Sequence, residues 1–286
     1  MKNTKKTIAI SNLHSFEGHP YKVIDNEEME ALTESIMENG IVSPIIVRPL
    51  ENTDGEYEVI SGHRRLYAAQ KAGLLEVPAL IYAIDRDAAA ILLVDSNLHR
   101  ERILPSEKAF AYKMKADALN HKGWRTDLTS VQVAPRLATE QIADEVGTSK
   151  DTIKRYIRLT NLIPEILQYV DDGRISFTPA VELSYLNEQE QYDLLEQIEL
   201  NDCTPSLSQA CRFKKMSQEQ GLTPEYIAEV MSEEKANQKE KVSFKAEDIR
   251  RFFPKSYTTR DMQAAIMKLL EAEFIRKQRM RSHDER

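Results

Sequence analysis

Residues 139–159 read TEQIADEVGTSKDTIKRYIRL, and this stretch decides how the chain is read. Ile142 and Ala143 fall in a first helix, where the small Ala143 side chain admits a second helix at close range. Gly147 supplies a sharp turn, and Ser149 is placed to cap the next helix. Ile153, ten residues after Ala143, plugs the space between the two. An Ala, a Gly and a branched apolar residue in this order and spacing make the helix-turn-helix pattern. Its second helix offers Ser149, Lys150, Asp151, Thr152, Lys154, Arg155 and Arg158. Short polar and basic side chains at its start suit base edges, while Lys154, Arg155 and Arg158 suit phosphates. The expected partner is double-stranded DNA.

The rest of the chain is consistent with such a protein. Its 286 residues suggest two or three domains. A content of 41% hydrophobic and 30% charged residues excludes both a wholly disordered chain and a membrane protein. No apolar run approaches the roughly 18–20 residues of a membrane span. Behind the charged opening Met1–Lys6 only Thr7–Ile10 is apolar, too short for a secretory signal, so a cytoplasmic location is expected. Cys203 and Cys211 have no CxxC partner, which argues against disulfide frameworks and zinc ribbons. The net charge of −7 is unevenly spread. Residues 235–286 carry 14 Lys+Arg against 8 Asp+Glu, a local +6 that leaves −13 for the remainder. That asymmetry is compatible with a local phosphate-binding surface on an acidic protein.

Periodicity divides the chain into three regions: 1–95, 96–200 and 201–286. In the first, residues 26–39 form a helix with Met29, Leu32, Ile36 and Met37 on one face, ended by Gly40. Residues 41–48 and 57–60 read as strands of a hairpin around the turn 50–55, residues 64–72 as a helix, and 77–82 as another strand. The second region lacks strand signals. Helices are expected at 87–97 and from Pro105, then a long loop over 121–135 containing Trp124, then three or more short helices to residue 197. In the third, Lys235–Lys241 has linker composition. Residues 261–281 read as one amphipathic helix with Met262, Ala265, Ile266, Leu269, Leu270 and Ile275 on a face fit to dock or to pair with a second copy. The expected class is α+β: a small α/β domain, an all-α helix-turn-helix domain and a helical tail.

Two further constellations carry chemistry. Ser61-Gly62-His63-Arg64-Arg65 lies between a strand and a helix. A glycine there lets backbone approach a ligand, helix N-terminal amides favour an anion, and two arginines add forked donors, all of which suits phosphate. At a helix end, Ser96-Asn97-Leu98-His99-Arg100-Glu101-Arg102 brings Asn97 for a metal or phosphate and Arg100 for phosphate.

The order of these pieces resembles the ParB family of DNA partition proteins. The resemblance runs over roughly residues 10–200. It rests on Gly40–Arg48, Ser61–Ala69, Val77–Leu80, Ser96–Glu101, Leu104–Ala109, the helix-turn-helix, Gly173–Ser176 and Pro179–Leu183. It implies an N-terminal nucleotide-binding domain related to sulfiredoxin, a helical DNA-binding domain and a C-terminal dimerisation segment. It also implies CTP with magnesium as ligand, a homodimer that closes as a clamp on DNA, and a ParA-type ATPase as partner. The family's Gly-Glu-Arg-Arg motif falls on Gly62, His63, Arg64 and Arg65, and its Glu-Asn-x-x-Arg motif on Ser96, Asn97 and Arg100. The nucleotide set is thus Gly62, His63, Arg64, Arg65, Asn97 and Arg100, with Asn97 as the metal contact. His63 and Ser96 stand where the family has carboxylates of the kind that coordinate magnesium or orient water, so triphosphate binding is expected and weak CTP hydrolysis is left open. The long stretch around Trp124 points to a plasmid, phage or conjugative-element relative. A transcriptional repressor or nucleoid regulator built from the same parts is the alternative. A sulfiredoxin-like reductase is disfavoured because both cysteines lie far downstream of the phosphate motif, and a nuclease because no dense metal-binding cluster occurs.

Overall fold

A computed structural model describes residues 3–51, 53–98, 100, 103–126, 134–233, 249–250, 252–254 and 256–284. They fall into two units, 1–233 and 234–286. The linker reading of 235–241, residues 127–133 of the expected loop, and His99, Glu101 and Arg102 lie outside the described residues.

The N-terminal part of the first unit is built on a five-stranded mixed sheet. Its strands are β1 (Asn3–Ala9), β2 (Leu13–Ser15), β3 (Ile45–Pro49), β4 (Tyr57–Ser61) and β5 (Glu76–Tyr82), in the order β1-β5-β3-β4-β2. β3 and β4 form the expected hairpin, although β3 starts four residues later than the apolar run suggests. β5 lies parallel to β3, with helix α2 (His63–Lys71) in the crossover, and β1 pairs antiparallel with β5. Alternation along the strands sends Ile45, Val47 and Val59 to one face and Ile46 and Ile60 to the other. The first face is covered by α1 (Glu27–Asn39) and α2 through Met29, Ile36, Leu66 and Ala69. Asn26 caps α1 by accepting from the Met29 amide at 3.1 Å, and Glu27, Glu28 and Glu30 complement its positive end. The second face is covered by α3 (Arg86–Asp95) and α4 (Pro105–Thr126).

The helix α4 organises the first unit. At 22 residues it spans about 33 Å. The expected loop from residue 121 is not found at its start: the helix runs on to Thr126, and the next helix is α5 (Ala134–Val146). Small residues let three layers approach α4. Ala111 and Ala118 meet Phe16, Tyr21 and Leu93. Tyr112 and Ala116 meet Ile142, Ala143 and Ile153, and Ala109 joins the helical core beyond.

That core is formed by α7 (Pro164–Asp171), α8 (Phe177–Leu183), α9 (Glu188–Asn201), α10 (Leu207–Glu219) and α11 (Pro224–Ser232), around Ile166, Leu183, Leu194, Phe213 and Ile227. Glu190 caps within it, accepting from the amides of Asn187 and Leu222. In the second unit, α12 (Thr259–Asp284) is a single helix that includes the expected 261–281 stretch. Leu269 and Phe274 on it are 67% and 63% exposed.

Candidate nucleotide and nucleic-acid interfaces

The phosphate constellation sits at the end of β4. Gly62 is the N-cap of α2 at φ +105°, a conformation L side chains rarely adopt. A Cβ there would stand 2.8 Å from Ile45 Cγ2 and 3.1 Å from an Arg65 nitrogen, so the position needs glycine for space as well as for backbone shape. No side chain at the cap occupies the first amides of α2. This leaves the arrangement that binds anions.

His63 opens α2, and its ring centroid lies 3.8 Å from that of His19. Burial, followed by the nearby His19 and Arg100, pushes His63 down to about 3, so its imidazole is neutral at pH 7. Burial also lowers His19, partly opposed by a hydrogen bond to the Tyr21 backbone. The Arg100 guanidinium lies 5.2 Å from the Tyr21 ring centroid. Burial raises the Tyr21 hydroxyl well above its usual value. Among the described residues, two buried polar atoms here, Tyr21 Oη and His63 Nε2, have no hydrogen-bond partner. Orphaned donors and acceptors of this kind are costly unless a ligand completes them. Together with the glycine cradle, they fit a nucleotide. His19 and Tyr21 are not legible as site residues in the sequence. They are brought to α2 by the Phe16–Lys22 segment, which is tied to α4 where the Lys22 amide donates to Glu107 at 2.9 Å.

The remaining members of the set are placed less uniformly. Arg64 pairs with Glu28 at 3.1 Å on the surface. Arg65 donates to the carbonyls of Ser43 and, at 2.8 Å, Pro44, and burial lowers it from its usual value. Asn97 is buried, and its amide donates to the Leu93 carbonyl at 2.8 Å and to Ser96 Oγ at 3.2 Å. Among the described residues, no three of His, Cys, Asp and Glu gather to hold a metal ion.

The helix-turn-helix consists of α5 (Ala134–Val146) and α6 (Lys150–Arg158). Gly147 makes the turn at φ +67°, and the Thr148 amide donates back to the Ala143 carbonyl at 2.9 Å. Ser149 caps α6, accepting from the Thr152 amide at 3.1 Å. Ile142, Ala143 and Ile153 are buried together against α4. Ser149, Asp151 and Lys154 are exposed, and Thr152 is half-buried beside Ser149. Lys150 is half-buried and donates to Glu140 at 3.1 Å. The last turn of α6 is tied to α8 and its C-terminal end. Arg155 donates to Thr178 Oγ1 at 3.0 Å beside the Phe177 ring. Arg158 donates to the Ser184 carbonyl at 3.2 Å and lies 3.8 Å from the Tyr185 centroid. The start of α6 is therefore open, and its end is held by internal partners.

A mixed sheet with a positive-φ glycine at the N-cap of α2, followed by a helix-turn-helix, defines the class of architecture to which the chain belongs. Residues 1–98 match the family model of the ParB N-terminal domain and residues 127–205 that of the ParB HTH domain. The chain belongs to the ParB family. It is 31% identical over 192 residues to the probable chromosome-partitioning protein ParB of Vibrio cholerae, covering 67% of this chain and 59% of that one. It is 32% identical over 199 residues to the nucleoid occlusion protein of a Geobacillus species, covering 69% and 64%. A crystal structure of C-terminally truncated ParB from Caulobacter crescentus complexed to the centromeric parS site matches at 26% identity and a TM-score of 0.40, covering 73% of this chain and 98% of that one. The chain thus spans about three fifths of the length of these two curated relatives. No described helix is long and apolar enough to cross a membrane.

Proposed function

We propose that this chain is a cytoplasmic, sequence-specific DNA-binding protein of partition type, a homodimer whose closure on DNA is controlled by CTP. The observation that carries the reading is the open start of α6 on a helix-turn-helix whose turn, cap and core are all in place. Ser149, Lys150, Asp151 and Thr152 read the duplex, and the exposed Lys154 holds a phosphate. Arg155 and Arg158 hold phosphates with donors left over from their internal bonds, since a guanidinium has five. Residues 1–95 bind the nucleotide, 96–200 the DNA, and 201–286 supply dimer contacts through α12, on which Leu269, Leu270, Phe274 and Ile275 are exposed.

In the nucleotide site, the amides of α2 above Gly62 and the Arg64 and Arg65 side chains face the phosphates. His63, Asn97 and Arg100 complete the set. CTP supplies a polyanion whose charge these groups neutralise. The Asn97 side chain, its amide nitrogen held by the Leu93 carbonyl and Ser96 Oγ, would be the protein contact for a magnesium ion carried by the triphosphate, which would neutralise phosphate charge. The neutral His63 and Ser96, in place of family carboxylates, leave at most weak hydrolysis. A ParA-type ATPase is the partner that a partition role requires.

Two experiments test the reading. Titration of the four nucleoside triphosphates, with and without duplex DNA, should single out CTP; no binding of any of them would remove the nucleotide half. Selection from random DNA should yield one site. The Geobacillus relative favours a second reading, a nucleoid or transcriptional regulator. CTP-dependent spreading beyond the selected site supports partition, and binding confined to the site supports the regulator.

A further inference from the structure

Lys115 is among the largest side chains that the described residues bury completely, at 1% exposure. A buried lysine is rare unless paired. From the middle of α4 its ammonium donates to Asp95 Oδ1 on the last turn of α3 and to Glu145 Oε2 on the last turn of α5. The two carboxylates are 44% and 38% exposed. Water can take up either carboxylate when it detaches, but among the described residues the ammonium has no third partner to replace it. Losing one partner is therefore penalised at the cation, which ties the ends of α3 and α5 to the same point.

The positions of those two helix ends give the tie its meaning. Asp95 lies two residues before Asn97 and five before Arg100. Glu145 lies in the helix against which α6 packs through Ile142, Ala143 and Ile153. One cation thus joins the segment carrying part of the phosphate constellation to the helix that seats the reading helix.

We propose that Lys115 is a positioning residue that couples nucleotide binding to DNA binding, transmitting a displacement of the last turn of α3 to α5 and so to the presentation of α6. The inference rests on the proposed binding of CTP and DNA. Linkage makes the coupling reciprocal: the factor by which CTP changes DNA affinity equals the factor by which DNA changes CTP affinity.

The test uses the full chain, a labelled duplex carrying the selected site, and CTP. Duplex affinity is measured by fluorescence anisotropy with and without CTP, and CTP affinity by calorimetry with and without duplex. In the unsubstituted protein the two factors should agree and fall in the range of about 5- to 150-fold. Lys115→Met keeps the length of the side chain and frees both carboxylates to water. It should bring both factors to near one, while each affinity measured alone stays close to that of the unsubstituted protein. A purely structural role would weaken both separate affinities and leave the factor intact. Glu145→Gln, which leaves Lys115 paired with Asp95, should lower the factor in part and serves if Lys115→Met does not fold. A factor unchanged in both variants, or a factor of one in the unsubstituted protein, overturns the inference. Failure of the unsubstituted protein to bind CTP or duplex at all overturns the functional reading instead, and this inference with it.

Discussion

The imidazoles of His19 and His63 meet at a centroid distance of 3.8 Å and an interplanar angle of 42°. Both rings are partly buried, with Arg100 close enough to oppose a positive charge on either. The folded state therefore keeps the His63 ring neutral down to about pH 3, whereas the unfolded chain takes up a proton near 6.5. Between those values the unfolded state binds more protons, so stability falls as the pH is lowered. The slope contributed by this one group is at most about 1.4 kcal/mol per pH unit. Chemical denaturation at pH 7, 6, 5 and 4 should show a decline that His63→Gln reduces. An equal decline in that variant would place the acid sensitivity elsewhere.

Gly62 and Gly73 form an internal comparison. Both have positive φ, but a Cβ on Gly73 meets open space while one on Gly62 meets Ile45 at 2.8 Å. Gly73→Ala should cost only the backbone penalty, about 1 kcal/mol. Gly62→Ala should cost more, about 2–4 kcal/mol, because Ile45 and the start of α2 must also shift. Thermal melts of the two variants check this. CTP titration should show a loss for Gly62→Ala alone.

Lys154 and Arg158 lie one helical turn apart and should behave differently. Lys154 is exposed, so Lys154→Ala should leave the melting temperature unchanged and reduce the salt dependence of DNA binding by about one unit of slope. Arg158 holds the Ser184 carbonyl and packs on Tyr185, so Arg158→Ala should destabilise the fold by about 1–3 kcal/mol. Denaturant titrations and salt-dependent anisotropy separate the two effects.

The apolar residues of α12 carry the dimer reading. Replacing Leu270 and Phe274 by Asp should convert a dimer into a monomer in sedimentation velocity without changing the melting of residues 1–233. A dimer that survives both replacements would move the interface off α12.

Much of this molecule is written in local pattern. The cap at Ser149, the hairpin of β3 and β4, and the Ala143–Gly147–Ile153 spacing can be read directly, because each depends on residues a few positions apart. β1 and β2 escape notice because they lie at the edges of the sheet. Among their residues with described burial, only Ile8 of β1 and Leu13 of β2 are buried, and Lys5 and Lys6 keep an edge polar. The continuation of α4 through His121 is equally quiet, since its apolar face is spread over three layers instead of one stripe. In the site, Gly62 and the arginines announce themselves, but His19, Tyr21 and Lys115 acquire meaning only from partners 20 to 80 residues away. The same holds for Arg155 and Arg158, whose internal partners on α8 and at its end no local motif foretells.

The most direct test of the central claim is anisotropy on the duplex recovered by site selection, comparing the unsubstituted chain with a variant carrying Asp151→Ala and Lys154→Ala. The expected result is a loss of about 10- to 100-fold on that duplex, a changed preference on repeating the selection, and unaltered CTP affinity. Unchanged affinity together with the same selected sequence would show that α6 does not read DNA.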